Sequence, residues 1–472
     1  MNLSRRHLLT LTAISLLALV LGCSDRNPTG LDTARANIDP LVFDDDYSED
    51  VYFQAFSNTH YTAVAMDSVF AYEGFAPDGS RSLKINVPAI GSALGAYAGG
   101  VLTSSGSRDL ADFNALTFYA RASEDISMNE AGFGNDNTGN SLYGAGIAGV
   151  GLNSEWAFVI IPIPNSSKLI AERGLFTFAE GAQEEYPDGY DIWVDEIRYA
   201  KLGNIEVIRP TLPSPTVPEP YFIGSTVNIS GTFTVFRIDG ALKIVQHMPG
   251  YFDFANSNSS VAAVVGNEVQ IIGEGTTTIT ASLEFTPGDT TEVIGAITVN
   301  GYEQPTVAAI PPTLPAEDVI SMYSDVYNDV LVDTWRADWG GVTTQVTDVV
   351  IAGDNNKQYS SLNWVGIDFQ TELIDASDMT HLHMDVYAPE GTSFNVKLVS
   401  YPDGSAGAQT QDLVMDDTTT PAFNKLTWCS LDIPLEDFDL PAEGWDWAYL
   451  GQMVLSSANT RLVLVDNIYF HQ

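Results

Sequence analysis

The side chains best placed for chemistry in this sequence are three tryptophans and a few polar residues that alternate with apolar ones. Trp335 and Trp339 stand four apart in DTWRADW (333–339), and Trp364 sits near the start of NWVGIDF (363–369). Strand alternation turns Val365, Ile367 and Phe369 to one side and leaves Trp364 on the other. In LHMDVYA (382–388) the same rule sends Leu382, Met384 and Val386 inward and His383, Asp385 and Tyr387 outward. In FNVKLVS (394–400) it buries Val396 and Leu398 and exposes Lys397. Flat rings beside carboxylate, imidazole and ammonium groups suit a pyranose. The ring stacks on the sugar's C–H face while the polar groups replace water at its hydroxyls, each stack contributing about 1–2 kcal/mol. Trp335, Trp339, Trp364, His383, Asp385, Tyr387 and Lys397 are therefore the candidate glycan-binding set.

A second set lies nearer the N-terminus. ALTFYARA (115–122) turns Leu116, Phe118 and Ala120 inward and Tyr119 and Arg121 outward, with Lys84 exposed on SLKINV and Tyr97 opening a glycine-rich YAGG. Trp156 and Trp428 read as packing residues, while Trp193 and Trp447 fit either role. His381 and His383 share a strand face but lack the third ligand that zinc needs. Enzyme signatures are missing: there is no GxSxG, HExxH, GxxxxGK or dinucleotide fingerprint, and no E-x-D-x-x-E pair of glycosidase carboxylates.

The elements that must hold these residues are strands. SLKINVP (82–88), ALTFYARA (115–122), AFVIIPI (157–163) and DIWVDEIRY (191–199) are short, β-branched or aromatic, and bounded by Gly, Pro, Asn and Asp. Proline clusters at IRPTLPSPTVPEP (208–220) and EQPTVAAIPPTLPAE (303–317) interrupt them, since proline cannot donate within a central strand. Domains are expected at 41–203, 204–302 and 318–472, with a Pro-rich linker at 303–317. The outer two repeat one spacing: Trp156 and Trp428 each stand six residues before a proline, and Asp195 and Asp466 follow them by 39 and 38 residues. Paired units of this size built from short strands predict two-sheet jelly rolls.

Composition limits the partners. Twenty Lys+Arg against 61 Asp+Glu give a formal charge of −41, with no basic run to offset it, which disfavours nucleic acid and anionic lipid. Arg5, Arg6 and His7 precede an apolar run at 8–21 that is too short to span a bilayer comfortably, so residues 1–22 read as a signal peptide. Gly22-Cys23 resembles the lipobox of bacterial lipoproteins, which implies lipidation at Cys23; SRRHLL also resembles a twin-arginine export signal. Ser24 after the cysteine leans the resemblance toward the outer membrane. Residues 23–40 form a polar tether. Cys429 is the one remaining thiol, so no intramolecular disulfide follows and a buried cysteine is expected.

DVISMYSDVYNDVLVDTWRADWGG (318–341), SSLNWVGIDF (360–369), THLHMDVYAP (380–389), LDIPLEDF (431–438) and VDNIYFH (465–471) together resemble the non-catalytic carbohydrate-binding jelly rolls attached to laminarinase-type glycoside hydrolases. SNSSVAAVVGNEVQIIGEGTTTITASL (257–283) resembles bacterial immunoglobulin-like domains. The expected fold is all-β, with two jelly rolls flanking an immunoglobulin-like sandwich. The resemblance implies a surface lipoprotein that captures polysaccharide, a laminarin-type β-1,3-glucan, beside an outer-membrane importer. It also implies a structural Ca2+ in each jelly roll, with Asp44, Asp46 and Asp195 in one and Asp325 and Asp466 in the other. The alternatives are a structural or adhesive lipoprotein and a glycosidase whose site is unrecognised.

Overall fold

The computed structural model describes residues 37–56, 63–67, 81–93, 95–215, 218–402, 404, 407–441 and 443–472. Residues 1–22, read as a signal peptide, Cys23 and most of the stretch read as a tether lie outside the described residues. The fold is all-β: among the described residues the helical elements are three-residue 3-10 turns. The chain divides into two compact units. One comprises Met1–Ser141 and Ala148–Leu202, the other Leu142–Ile147 and Gly203–Gln472.

The first unit is a two-sheet sandwich. One sheet runs Ala157–Pro162, Ala115–Ala122, Tyr190–Ala200, Leu41–Asp44 and Asp46–Tyr47, with Ser82–Val87 added to Tyr190–Ala200 and Ala63–Asp67 paired in turn with Ser82–Val87. The other runs Ile126–Phe133, Glu172–Gly181, Tyr97–Arg108 and Val51–Ala55. Apolar residues at every second position meet between them, Phe118 edge-on to Phe176 at 5.2 Å and Phe133 to Tyr199 at 6.0 Å. Arg108 is wholly buried. Its guanidinium pairs with Asp50 and donates to the carbonyls of Asp39 (2.9 Å) and Leu41 (2.5 Å), so it ties down the chain's first described strand.

The second unit holds two cores. In the middle segment a sheet of Glu219–Phe222, Ile297–Tyr302, Gly275–Thr286 and Asp253–Asn256 faces a smaller one of Thr226–Asn228, Glu268–Ile271 and Ala262–Val265. Phe252, Val269, Ile279 and Leu283 fill the space between. The C-terminal segment is a second jelly-roll sandwich. Its six-stranded sheet runs Gln345–Ile351, Asp354–Ser360, Val463–His471, His381–Tyr387 and Trp428–Pro434, with Val319–Tyr323 added to Val463–His471. Its five-stranded sheet runs Trp364–Asp368, Leu450–Ser456, Ser393–Ser400 and Ala408–Gln409, with Leu413–Asp416 also on Ser393–Ser400. Met384, Val386, Val365, Ile367, Val396 and Leu398 share its core, as strand alternation predicts.

The proline-rich stretch 303–317 is not a free linker. Ala309 is buried, Val307 O accepts from Trp428 Nε1 at 2.9 Å, and Leu314 O accepts from the Tyr327 hydroxyl at 3.0 Å. Glu219 of the middle segment also pairs with Arg461 and accepts from Ser361 Oγ at 3.3 Å. Phe222, Ile351, Tyr387, Leu462 and Leu464 close a small core at that junction.

Candidate functional site

The five-stranded sheet of the C-terminal sandwich carries the candidate site on its outer face. Register aligns Trp364 with Ser456 and Asn395, Gly366 with Val454 and Lys397, and Asp368 with Gln452. Directly opposed residues share a face, so these positions form three adjacent rows. Trp339, from the loop before the sheet, lies on Gly366: a Cβ there would stand 2.3 Å from its ring. That ring stacks on Trp364 with centroids 5.6 Å apart and planes at 24°.

The loop that delivers Trp339 is pinned along its length. Ala337 N donates to Gly366 O at 2.8 Å, and Arg336 Nε to Thr344 O at 2.7 Å. Thr344 Oγ1 donates to Trp364 O at 2.8 Å, and Asn363 Nδ2 to Gly341 O at 3.0 Å. The two half-buried indoles therefore need little ordering before they meet a ligand. Beside them Lys397 pairs with Asp412 at 3.1 Å, and Asp368 accepts from Gln452 Nε2 at 3.1 Å and Gln370 Nε2 at 3.0 Å. Burial, helped by the Asp368 charge, pushes the Tyr401 hydroxyl up, so it stays a neutral donor near this face. An indole platform bordered by amides, carboxylates and one ammonium can hold a hydroxyl-rich ring by stacking and hydrogen bonds.

Trp339, Trp364 and Lys397 of the candidate set come together here. The other four do not. Trp335 packs against the core and edge-on to Tyr323 at 5.4 Å, with Lys357 Nζ lying 4.9 Å over its ring. His383, Asp385 and Tyr387 face outward as expected, but from the opposite, six-stranded sheet. His383 stacks on Tyr469 at 4.5 Å and contacts Asp432 at 3.3 Å. Asp385 is buried and accepts from Asn467 Nδ2 at 2.9 Å. Tyr387 is covered by the middle segment through Phe222. Alternation fixes which side of a strand a residue takes, but not which sheet the strand joins or what covers that sheet. Asn395, Asp368 and Gln452 escaped the sequence reading, although Asn395 alternates with Lys397 and Asp368 with Trp364.

The second set splits in the same way. Lys84, Tyr119 and Arg121 lie on the sheet that contains the terminal strands, and Tyr97 on the facing one. Arg121 and Lys84 sit 4.8 and 5.4 Å over Trp193, and Lys84 pairs with Asp191 at 2.9 Å. These cations cap Trp193, which is only 7% exposed, instead of leaving its ring for a sugar. Trp156 is buried, in keeping with a packing role.

The aspartates read as calcium ligands differ in their surroundings. Asp44 and Asp46 turn to Arg198 (3.5 Å) and Arg81 (3.7 Å), while Asp195 is buried nearby. Burial, reinforced by Asp44 and Asp45, pushes Asp195 up to about 7. Asp325 accepts from Asn355 Nδ2 at 2.9 Å, and Asp466 is raised to about 8 by burial and by its hydrogen bond to Asp354. Among the described residues no group of three or more carboxylate, imidazole or thiol side chains is arranged to hold a metal ion. Ca2+ takes six to eight oxygens, backbone carbonyls among them, and in the C-terminal sandwich Asp354 joins Asp325 and Asp466 through side-chain hydrogen bonds, with Asp385 close by.

No family model matches the chain, and no curated protein matches it. Solved structures do. A family 30 carbohydrate-binding module is 16% identical with a TM-score of 0.26, the match covering 33% of this chain and 98% of that one. A family 11 module of Clostridium thermocellum, in complex with a β-1,3-1,4-mixed-linked tetrasaccharide, is 10% identical with a TM-score of 0.24, covering 35% and 97%. A β-1,2-glucanase of Parabacteroides distasonis is 12% identical with a TM-score of 0.24, covering 57% of this chain and 40% of that one.

Proposed function

We propose that this protein is a non-catalytic glycan-binding lipoprotein whose main site is the outer face of the five-stranded sheet in the C-terminal sandwich. The observation that carries this is the stacked pair Trp339–Trp364, held on Gly366 beside Asn395, Lys397, Gln452 and Asp368. A half-buried, preorganised aromatic platform has no packing task that demands a polar border, whereas a sugar chain needs both. Lys397 is paired with Asp412 and Asp368 lies on the same face, which favours a neutral polysaccharide. Laminarin-type β-1,3-glucan is the ligand proposed from the sequence resemblance. Lipidation of Cys23, attachment to the outer membrane with the sandwiches facing outward, and delivery to an outer-membrane importer complete the proposal.

Electrophoresis of the full chain through gels containing laminarin tests the reading. Slowed migration that Trp364→Ala reduces is expected. Mobility unchanged by laminarin and every other neutral glucan would turn the reading toward adhesion. Reducing sugar released from laminarin would indicate a hydrolase instead.

A further inference from the structure

The first unit repeats the platform device on its own corresponding sheet, at a place that contains only one of the residues singled out by sequence. In the C-terminal sandwich the pattern is aromatic, spacer, glycine: Trp364, Val365, Gly366, with a second ring lying on the glycine. The strand Tyr97–Arg108 opens with Tyr97, Ala98, Gly99. A Cβ on Gly99 would stand 3.0 Å from the Tyr97 ring and 3.2 Å from the Phe56 ring, so here too the missing side chain makes room for aromatics.

Register extends the floor with small residues, pairing Gly99 with Ala179 and Tyr97 with Gly181. Next to Tyr97 opens a trough of about 520 Å3, bordered by Asn129, Gln183 and Glu184. That volume falls within the roughly 300–1,000 Å3 usual for ligand pockets. Its polar wall is built around Glu180, which is 1% exposed. Glu180 accepts from the Tyr190 hydroxyl, from Asn129 N at 2.5 Å and from Gln183 Nε2 at 3.2 Å. Asn129 Oδ1 accepts in turn from Gly181 N at 3.3 Å, and Gln183 Nε2 donates to Ser127 O at 2.9 Å. The amide side chains are thus fixed in place at the trough. Among the described residues no lysine or arginine lines it, which disfavours an anionic ligand.

We infer that this trough is a second glycan subsite, in which Tyr97 stacks on a neutral sugar and Asn129, Gln183 and Glu184 bind its hydroxyls. The inference rests on the glycan-binding reading and deepens it. Lys84, Tyr119 and Arg121 belong to the other sheet and take no part. Two sites on one chain raise the effective concentration of a long polymer at each, so weak individual sites still retain it.

Calorimetry on the full chain with laminarihexaose, cellohexaose and mannohexaose tests the inference. Two sites per chain are expected for at least one of these probes, with one site left in Tyr97→Ala, one in Trp364→Ala and none in the double variant. A single site that Trp364→Ala removes and Tyr97→Ala leaves intact would overturn the second site while sparing the first. Failure of all three probes to bind the unaltered chain would overturn both readings. Should Tyr97→Ala fail to melt cooperatively, Gln183→Ala takes its place. Hydrogen exchange on the unaltered chain then decides: slowing at 97–99 and 179–184 on adding the bound hexaose supports the subsite, and unchanged exchange there refutes it.

Discussion

Single side chains separate binding from packing among the tryptophans. Trp364→Ala removes one face of the platform and leaves the core in place. It should weaken laminarin binding by about 1–2 kcal/mol, or roughly five- to thirtyfold, with little change in melting temperature. Trp335→Ala should do the reverse, because that ring packs on the core and under Lys357. A stability loss of about 2 kcal/mol or more with unaltered retention in laminarin gels is expected. Asp466 controls a pH response. Its carboxyl is raised to about 8, mainly by burial and then by Asp354, so the folded chain holds a proton that the unfolded chain releases. Stability from this group is therefore highest below the ordinary aspartate range and falls as pH climbs toward 8, by at most about 1.4 kcal/mol per pH unit. Asp466→Asn, which cannot ionise, should flatten that slope in urea titrations between pH 4 and pH 8.

At the scale of strands, the glycine in WVGID matters as much as the tryptophan. Gly366→Val would drive a side chain into the Trp339 ring, which must then leave the sheet. Weaker glucan binding is expected, with a red-shifted tryptophan fluorescence that reports the ring's exposure; unchanged emission would mean that Trp339 does not depend on the glycine. Strand faces were legible in advance because alternation is local. Leu116, Phe118 and Ala120, like Leu382, Met384 and Val386, are buried where the period of two places them. Partners were not legible in advance. His383 and Lys397 lie in neighbouring strands of the sequence with the same pattern, yet they occupy different sheets whose outer faces have different surroundings.

For the whole molecule, the stretch read as a linker is instead part of a joint. Val307 and Leu314 accept hydrogen bonds from the C-terminal sandwich, and Arg461 reaches back to Glu219. Arg461→Ala would leave Glu219 half-buried without its partner, costing about 1–3 kcal/mol. It should also split the second unit's denaturant transition into separate steps for its two cores. A single unsplit transition would show that the Phe222–Tyr387 core alone couples them. Binding of a neutral glucan should be nearly insensitive to salt despite the charge of −41, because the ligand carries no charge to be screened.

The sequence alone determined that the chain is all-β, which side of each strand is apolar, and that Trp364 and Lys397 point away from a core. Those properties depend on residues one or two positions apart, and the chain's covalent geometry settles them wherever the strand finally packs. Which sheet each strand joined, that Trp339 would lie on Gly366, that Tyr387 would be covered, and that Tyr97 would border a trough with Gln183 were decided only by tertiary structure. Such pairings bring together residues tens of positions apart, and their choice is made by the packing of whole faces against one another.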